Sequence, residues 1–222
     1  MGIDVTGFVA INQAIKYCSN KHKFLTIGRQ RWDLPSGSPV HERVFCEYNI
    51  KKCGFNTVHS IDYSAYEGAT IVHNLNKPVE IDEKYDFIFD GGSTEHMFNI
   101  PQVLENIINL LEVGGVYCSV TVNNNFSGHG IYQFSPELFH CSFTKKYGME
   151  VKEMYLAIEG SGNGWIDVWN NKYNDGIDRT TMNFNSTAPV YVVVIAQKIS
   201  NQRNSLIDDP PNQHSYEVDW NK

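Results

Sequence analysis

Asp90 closes an apolar run, Phe87-Ile88-Phe89, and is followed at once by Gly91 and Gly92, with Glu95 and His96 just beyond. That is the pattern of a buried strand delivering an acid into a tight glycine turn. His129, between Gly128 and Gly130, adds a second imidazole, and Asp62, after the β-prone run from Thr57 to Ile61, adds another acid. Histidine gains and loses its proton near neutral pH, so His96 and His129 are candidate general bases. An ionised carboxylate only accepts hydrogen bonds, which suits Asp62 to a pair of hydroxyl donors. Gly28 ends the run Lys23 to Ile27, where a residue without Cβ lets backbone come close to a ligand. Arg29 and Gln30 place polar groups beside it. Each position also has an ordinary use: a strand can simply end in Gly or Asp, a helix dipole favours a glutamate in its first turn, and a histidine can pack.

The elements that must position these residues follow from periodicity. Ile100, Val103, Leu104, Ile107, Ile108 and Leu111 recur at helical spacing, Pro101 suits a first turn and Gly114 a stop, and Val116 to Val122 is again strand-like. Strand, turn, helix and strand make a βαβ unit, which belongs to a doubly wound sheet whose ligands bind at the carboxyl ends of the strands. Upstream, Phe8, Ile11, Ile15 and Cys18 predict an amphipathic helix over the sheet, capped by Asp4 or Thr6. Lys23 to Ile27 is the first strand, Val40 to Lys52 a helix with Val44, Phe45 and Tyr48 on one face, and Thr57 to Ile61 the second strand. Thr70-Ile71-Val72 reads as the third strand, but only YSAYEGA separates it from Asp62, where a parallel crossover usually takes about a dozen residues. Either the crossover helix has shrunk to a turn or the strand lies elsewhere. Ser135 and Pro136 start a short helix, Val151 to Ala157 is the sixth strand, and Val190 to Ala196 is the most strand-like run of all.

Asp90, Glu95, His96, Leu110, Leu111, Gly114 and Gly115 together resemble the class I S-adenosylmethionine-dependent methyltransferases. In that family an acid follows the fourth strand, a Glu-His pair often opens the next helix, and an LL-x-x-GG turn precedes the fifth strand. The similarity runs from about Lys23 to Lys198, and the central segment is its specific part. The resemblance implies an α/β, Rossmann-like, doubly wound and mostly parallel sheet with an antiparallel last strand. It divides the chain into a domain over 1–199, with a loop-rich insertion over 158–188 that roofs an acceptor cleft, and a C-terminal tail over 200–222.

The resemblance also implies S-adenosyl-L-methionine as cofactor. Gly28, Arg29 and Gln30 would meet its methionine part, Asp62 its ribose hydroxyls and Asn74 its adenine, while Asp90, Gly91 and Gly92 would line the cleft near the methyl group. His96 is then the base, with His129 in reserve. Glu95 is a candidate to orient the imidazole, against which stands the quarter-turn between adjacent helical residues. Phe126, Tyr132, Phe134, Trp165, Trp169 and Tyr173 lie in loops, where they could form an acceptor pocket or fold back on the core. Asn123-Asn124-Asn125-Phe126 is no match to the N-P-P-F tetrad of base-modifying relatives, because it follows the wrong strand and lacks both prolines.

Composition narrows the partners. With a net charge of −7 over 222 residues, a broad phosphate-binding surface is not expected, so nucleic acid is disfavoured as partner. The five cysteines form no C-x-x-C pair, which points to reduced thiols in the cytoplasm, and no apolar run approaches the ~18 residues of a membrane span. The acceptor expected is a hydroxyl on a sugar or other small molecule; a metal requirement is left open. The alternatives are a lyase acting on the cofactor itself and a non-catalytic binding module, either of which a cofactor pocket without an adjoining acceptor cleft would favour. The tail is polar, carries Pro210-Pro211, and by composition is disordered unless Leu206, Ile207, Tyr216, Val218 or Trp220 dock it, a second subunit being one candidate.

Overall fold

The apolar runs pair into one eight-stranded sheet with helices on both faces. The computed structural model describes residues 2–34, 44–169 and 186–213. In chain order these residues form β1 (Gly2–Ile3), α1 (Val5–Ala14), β2 (Lys23–Ile27), β3 (Arg31–Trp32), α2 (Glu47–Lys52), β4 (Thr57–Asp62) and β5 (Ile71–Val72). Then follow β6 (Tyr85–Asp90), α3 (Ile100–Leu110), β7 (Leu111–Asn124), α4 (Pro136–Ser142), β8 (Met149–Ile158), β9 (Ile166–Asp167) and β10 (Val190–Lys198). The sheet order is β5-β4-β2-β6-β7-β10-β8-β9, while β1 and β3 pair separately. From β5 to β7 all neighbours are parallel, and β10 runs antiparallel between β7 and β8. The chain thus starts in the middle at β2, builds outward to β4 and β5, and returns to the far side at β6. Order reverses between β2 and β6, and that reversal opens a crevice at the strand ends.

Register makes those ends level. Ile27 lies opposite both Ile61 and Asp90, and Ile61 opposite Ile71, so Gly28, Asp62, Val72 and Gly91 emerge in one row. Asp86 helps to set this, because its carboxylate accepts the backbone N–H groups of His22 and Lys23 where β2 begins. Alternation along the strands then sorts two cores. Phe24 stacks on Phe87 at 4.8 Å, with Phe55 edge-on to both, on the face covered by Ala10, Ile11 and Ala14 of α1. Leu25, Ile27 and Ile88 turn to the other face, against α3 and α4.

Several predicted boundaries shift, each for a local reason. The third strand is where the sequence suggests, and it is the crossover that has lost its helix, residues 63–70 being turns. The helix expected from Val40 begins only at Glu47, its first residues falling partly outside those described. Phe45 instead bridges Arg31, and the N–H of Cys46 donates to the Gln30 carbonyl, pulling that backbone out of the helix. Gly114 is not the stop of α3, which passes directly into β7 at Leu111. It sits at φ +86°, and at Gly115 a Cβ would lie 2.9 Å from the Tyr85 and Glu112 carbonyl oxygens, so the pair lets β7 cross close to β6.

The first part of the tail is docked on its own domain. Arg203 forks onto Glu105 of α3 at 2.6 and 3.1 Å, Leu206 is buried, and the Tyr147 hydroxyl donates to the Asp209 carbonyl. No second subunit is needed to hold residues 200–213; Tyr216, Val218 and Trp220 lie outside the described residues.

Candidate active site

Two cavities flank the turn that follows β6. The first, about 380 Å³, sits over the ends of β2, β4 and β5, lined by Gly28, Arg29, Gln30, Asp62, Asn74 and His96 together with Tyr63, His73, Ser93 and Met97. The second, about 300 Å³, lies on the α1 side, lined by Gly91, Gly92, Glu95, His129, Phe126 and Tyr191, with Asp4, Asp33 and Glu159. The ten sequence-predicted site residues other than Asp90, expected in one cleft, divide between two, six lining the first cavity and four the second.

In the first cavity, Asp62 is half-exposed and its Oδ2 accepts the backbone N–H of Arg29 at 3.1 Å. Its other oxygen accepts nothing among the described residues. Gly28 has φ +71°, and a Cβ there would lie 2.6 Å from the Ser93 hydroxyl, so the glycine is required by both turn and packing. The Arg29 and Gln30 side chains line this cavity but are also engaged internally. The Arg29 guanidinium donates to Glu47 and to the carbonyls of Glu67 and Gly68, with its plane over Phe45 at 4.0 Å. It clamps the helix-free crossover onto α2. The Gln30 amide donates to the Ile27 carbonyl at 2.7 Å and the Ser93 hydroxyl at 3.1 Å, wedging β2 against the β6 turn. The amide oxygen of Asn74 accepts two bonds from Asn76, and its NH₂ is the group on offer to the cavity.

Asp90 does not line either cavity. It is wholly buried, and its carboxylate accepts from the Ser93 N–H at 2.8 Å, the Thr94 hydroxyl at 2.5 Å and the Tyr117 hydroxyl at 3.3 Å. Burial raises its pKa, and those three donors offset part of that. By capping Ser93 and Thr94 it winds residues Thr94–His96 into a single 3-10 turn, closed off from α3 by the extended Met97. The Glu-His pair therefore precedes α3 rather than opening it.

This short turn aims its two residues apart. His96 is exposed and faces the first cavity, its pKa lowered by burial of part of the ring and by His129 nearby. Glu95 points to the second cavity with its side chain 1% exposed, and neither carboxylate oxygen has a hydrogen-bond partner among the described residues. Burial, with the charge of Asp90 behind it, pushes its pKa up to about 8. His129 closes the gap, its ring 5.1 Å from that of His96 and its Nε2 3.8 Å from Glu95 Oε1. The backbone N–H groups of Ile131 and Tyr132 both donate to the Glu95 carbonyl, which ties the His129 loop to the turn.

The chain is similar to the O-methyltransferase of a Brevibacillus brevis trans-AT polyketide synthase, solved with S-adenosyl-L-homocysteine: 11% identity, TM-score 0.51, 86% of this chain and 72% of that one. The fold is that of class I S-adenosylmethionine-dependent methyltransferases. A second structure with this fold is the methyltransferase solved with the Trm112 methyltransferase activator of Haloferax volcanii, at 10% identity and TM-score 0.50, covering 87% of this chain and 90% of that one. The chain spans 61% of the length of TehB from Haemophilus influenzae, at 15% identity, TM-score 0.48 and 85% coverage of this chain. No protein-family model and no curated protein matches it. No helix among the described residues is long and apolar enough to cross a membrane.

Some other lining residues are marked by their sequence neighbours. Tyr63 directly follows Asp62, His73 precedes Asn74, and Ser93 is in the glycine turn itself. Asp4, Asp33, Glu159 and Tyr191 have no such mark, because only folding brings such distant positions together. Of the loop aromatics, Phe126 lines the second cavity, whereas Trp165 packs on Tyr155 and Trp169 on His140 at the sheet edge. Tyr173 lies outside the described residues.

Proposed function

We propose that this chain binds S-adenosyl-L-methionine in the first cavity and transfers its methyl group to a small-molecule hydroxyl, such as that of a sugar, presented from the second. The observation that carries this reading is Asp62, at a strand end beside the topological switch point, with one oxygen fixed by the Arg29 N–H and the other open to the cavity. A carboxylate so held can accept both hydroxyls of a ribose. A volume of about 380 Å³ falls within the range of small-ligand sites, and the likeness to an O-methyltransferase solved with S-adenosyl-L-homocysteine supports the same cofactor. When bound, the cofactor supplies an electrophilic methyl on a sulfonium.

The chain's own residues bring the acceptor alongside and remove its proton. His96, neutral near pH 7 because its pKa is lowered, opens on the cofactor cleft and can accept that proton; His129 stands on the acceptor side as the reserve. A second cavity adjoining the first favours transfer over a lyase acting on the cofactor or a module that only binds it. Glu159 comes from the segment 158–188, in keeping with an acceptor-side role for that insertion. The carboxylates Asp4, Asp33, Glu95 and Glu159, with no Lys or Arg among the lining residues, favour one second reading, in which the acceptor is an amine. The free thiols fit a reducing cytoplasm.

Calorimetry with S-adenosyl-L-homocysteine tests the reading. The unaltered chain should bind it, and Asp62→Ala should weaken binding by about 2 to 3 kcal/mol, the scale of hydrogen bonds lost to a charged group. Equal affinity in the variant would remove the ribose assignment, and no binding by either protein would overturn the cofactor.

A further inference from the structure

We infer that Glu95, His96 and His129 form a binding site for one divalent transition-metal ion at the junction of the two cavities. Each offers one ligand atom, and these atoms all lie within 4.8 Å of one another. Two imidazoles and a carboxylate are a donor set for Zn²⁺, Fe²⁺, Co²⁺ or Mn²⁺ more than for Ca²⁺ or Mg²⁺, which prefer oxygen alone. Ligand bonds of about 2.0 to 2.2 Å bring neighbouring donor atoms to roughly 3 Å from each other. The contraction required is small, and the exposed His96 and His129 rings are free to swing into it, since His129 Nε2 already stands 3.8 Å from Glu95 Oε1.

Glu95 is the stronger argument. A buried carboxylate normally finds donors, yet both of its oxygens lack a partner among the described residues while its side chain is 1% exposed. Something positive is needed there, and His129 alone, at 3.8 Å, is too far for a hydrogen bond.

The surroundings hold the donors in place. The His129 loop is pinned by two backbone hydrogen bonds, from Ile131 and Tyr132 to the Glu95 carbonyl at 2.9 and 3.1 Å. Gly130 permits that approach, since a Cβ there would lie 3.0 Å from both Cγ and the carbonyl oxygen of Glu95. Asp4, Asp33 and Glu159 line the adjoining cavity without any Lys or Arg among the lining residues, so the local field also favours a cation. Three protein ligands leave coordination positions for water or a ligand oxygen. The site does not depend on the cofactor assignment, because none of its donors is used to hold the cofactor; with an ion bound, His96 and His129 would be its ligands rather than free bases.

The test uses the untagged full chain, stripped with chelator and titrated with Co²⁺ by visible absorption and with Zn²⁺ by calorimetry. One equivalent should bind, with the d–d bands of nitrogen and oxygen ligation. His129→Ala and Glu95→Gln should each weaken binding by more than about a hundredfold, beyond the 10–100-fold that losing an outer-shell partner costs. His22→Ala, at an exposed histidine just before β2, should bind as the unaltered chain does. Because His129 is 43% exposed, its variant is expected to fold, and circular dichroism checks this. Failure of the unaltered chain to bind Co²⁺, or equal binding by a folded His129→Ala, would overturn the site. S-adenosyl-L-homocysteine affinity, measured on the same samples, reports separately on the cofactor cleft.

Discussion

Glu95 and Glu105 are both buried glutamates in the stretch after β6, and the chain treats them in opposite ways. Glu105 accepts the Arg203 fork, the Leu206 N–H at 3.0 Å and the Asn109 amide at 3.5 Å, so that α3 and the tail are joined through one satisfied carboxylate. Burial works against its charge, but the guanidinium and N–H donors outweigh it and hold the pKa below the usual value. Glu95 has no such donors, and burial pushes its pKa up to about 8. A buried acid that is fully paired holds structure together. One left unpaired beside two histidines and a cavity is a cost that folding alone does not explain, which is the signature of a functional position.

The sharpest way to break the contrast is at the seam. Arg203→Ala would leave Glu105 buried without its counter-charge, and should cost about 3 to 5 kcal/mol in denaturant unfolding, the scale for breaking a buried pair. A loss under about 1 kcal/mol would mean that the fork is ornamental. Next comes Asp90, the paired acid inside the turn itself. Thr94→Val removes the hydroxyl 2.5 Å from its Oδ2 and should cost about 1 to 3 kcal/mol. It should also loosen the 3-10 turn, seen as faster amide exchange at His96 and Met97.

A smaller effect should appear with pH. Because the folded pKa of Glu105 lies below 4.5, the unfolded chain binds the proton first as acid is added. Its contribution to stability is therefore present above pH 4.5 and is lost as pH falls through the folded value. Glu105→Gln should flatten the acid limb of a stability-against-pH curve, and an unchanged limb would argue that other carboxylates carry it. The smallest change should come from the unpaired acid. In chelator-treated protein at neutral pH, Glu95→Gln should shift unfolding by less than about 1 kcal/mol, because no partner is lost and a charge-bearing group is removed from a dry site. A large destabilisation would show that Glu95 has a structural partner after all, and would erase the contrast with Glu105.

Much of this architecture was written in local sequence. Alternating apolar runs, the glycines at strand ends, and Pro101 and Pro136 in first turns specify strands and helices through interactions within a few residues, and the β2, β4, β6 and β10 cores follow them closely. The Asp62 position and the glycine turn after Asp90 were legible for the same reason. What local pattern does not contain is where a side chain finds its partners. Arg29 and Gln30 looked available, yet Glu47, Glu67, Gly68 and Ser93 claim them. Asp90 looked like part of the cofactor cleft, yet three donors from the turn and from β7 hold its carboxylate inside the protein. The crossover to β5 could be read as helix or turn, and the Arg29 clamp settled it as turn.

The sequence by itself determined the order of elements, the doubly wound sheet and the crevice at its strand ends, because periodicity and turn chemistry act over short separations. Tertiary structure alone decided which polar groups stay open, because that depends on donors and acceptors brought from distant parts of the chain. Residues 95 and 129 meet only because Ile131 and Tyr132 hydrogen-bond to the Glu95 carbonyl and Gly130 has no side chain to keep them apart.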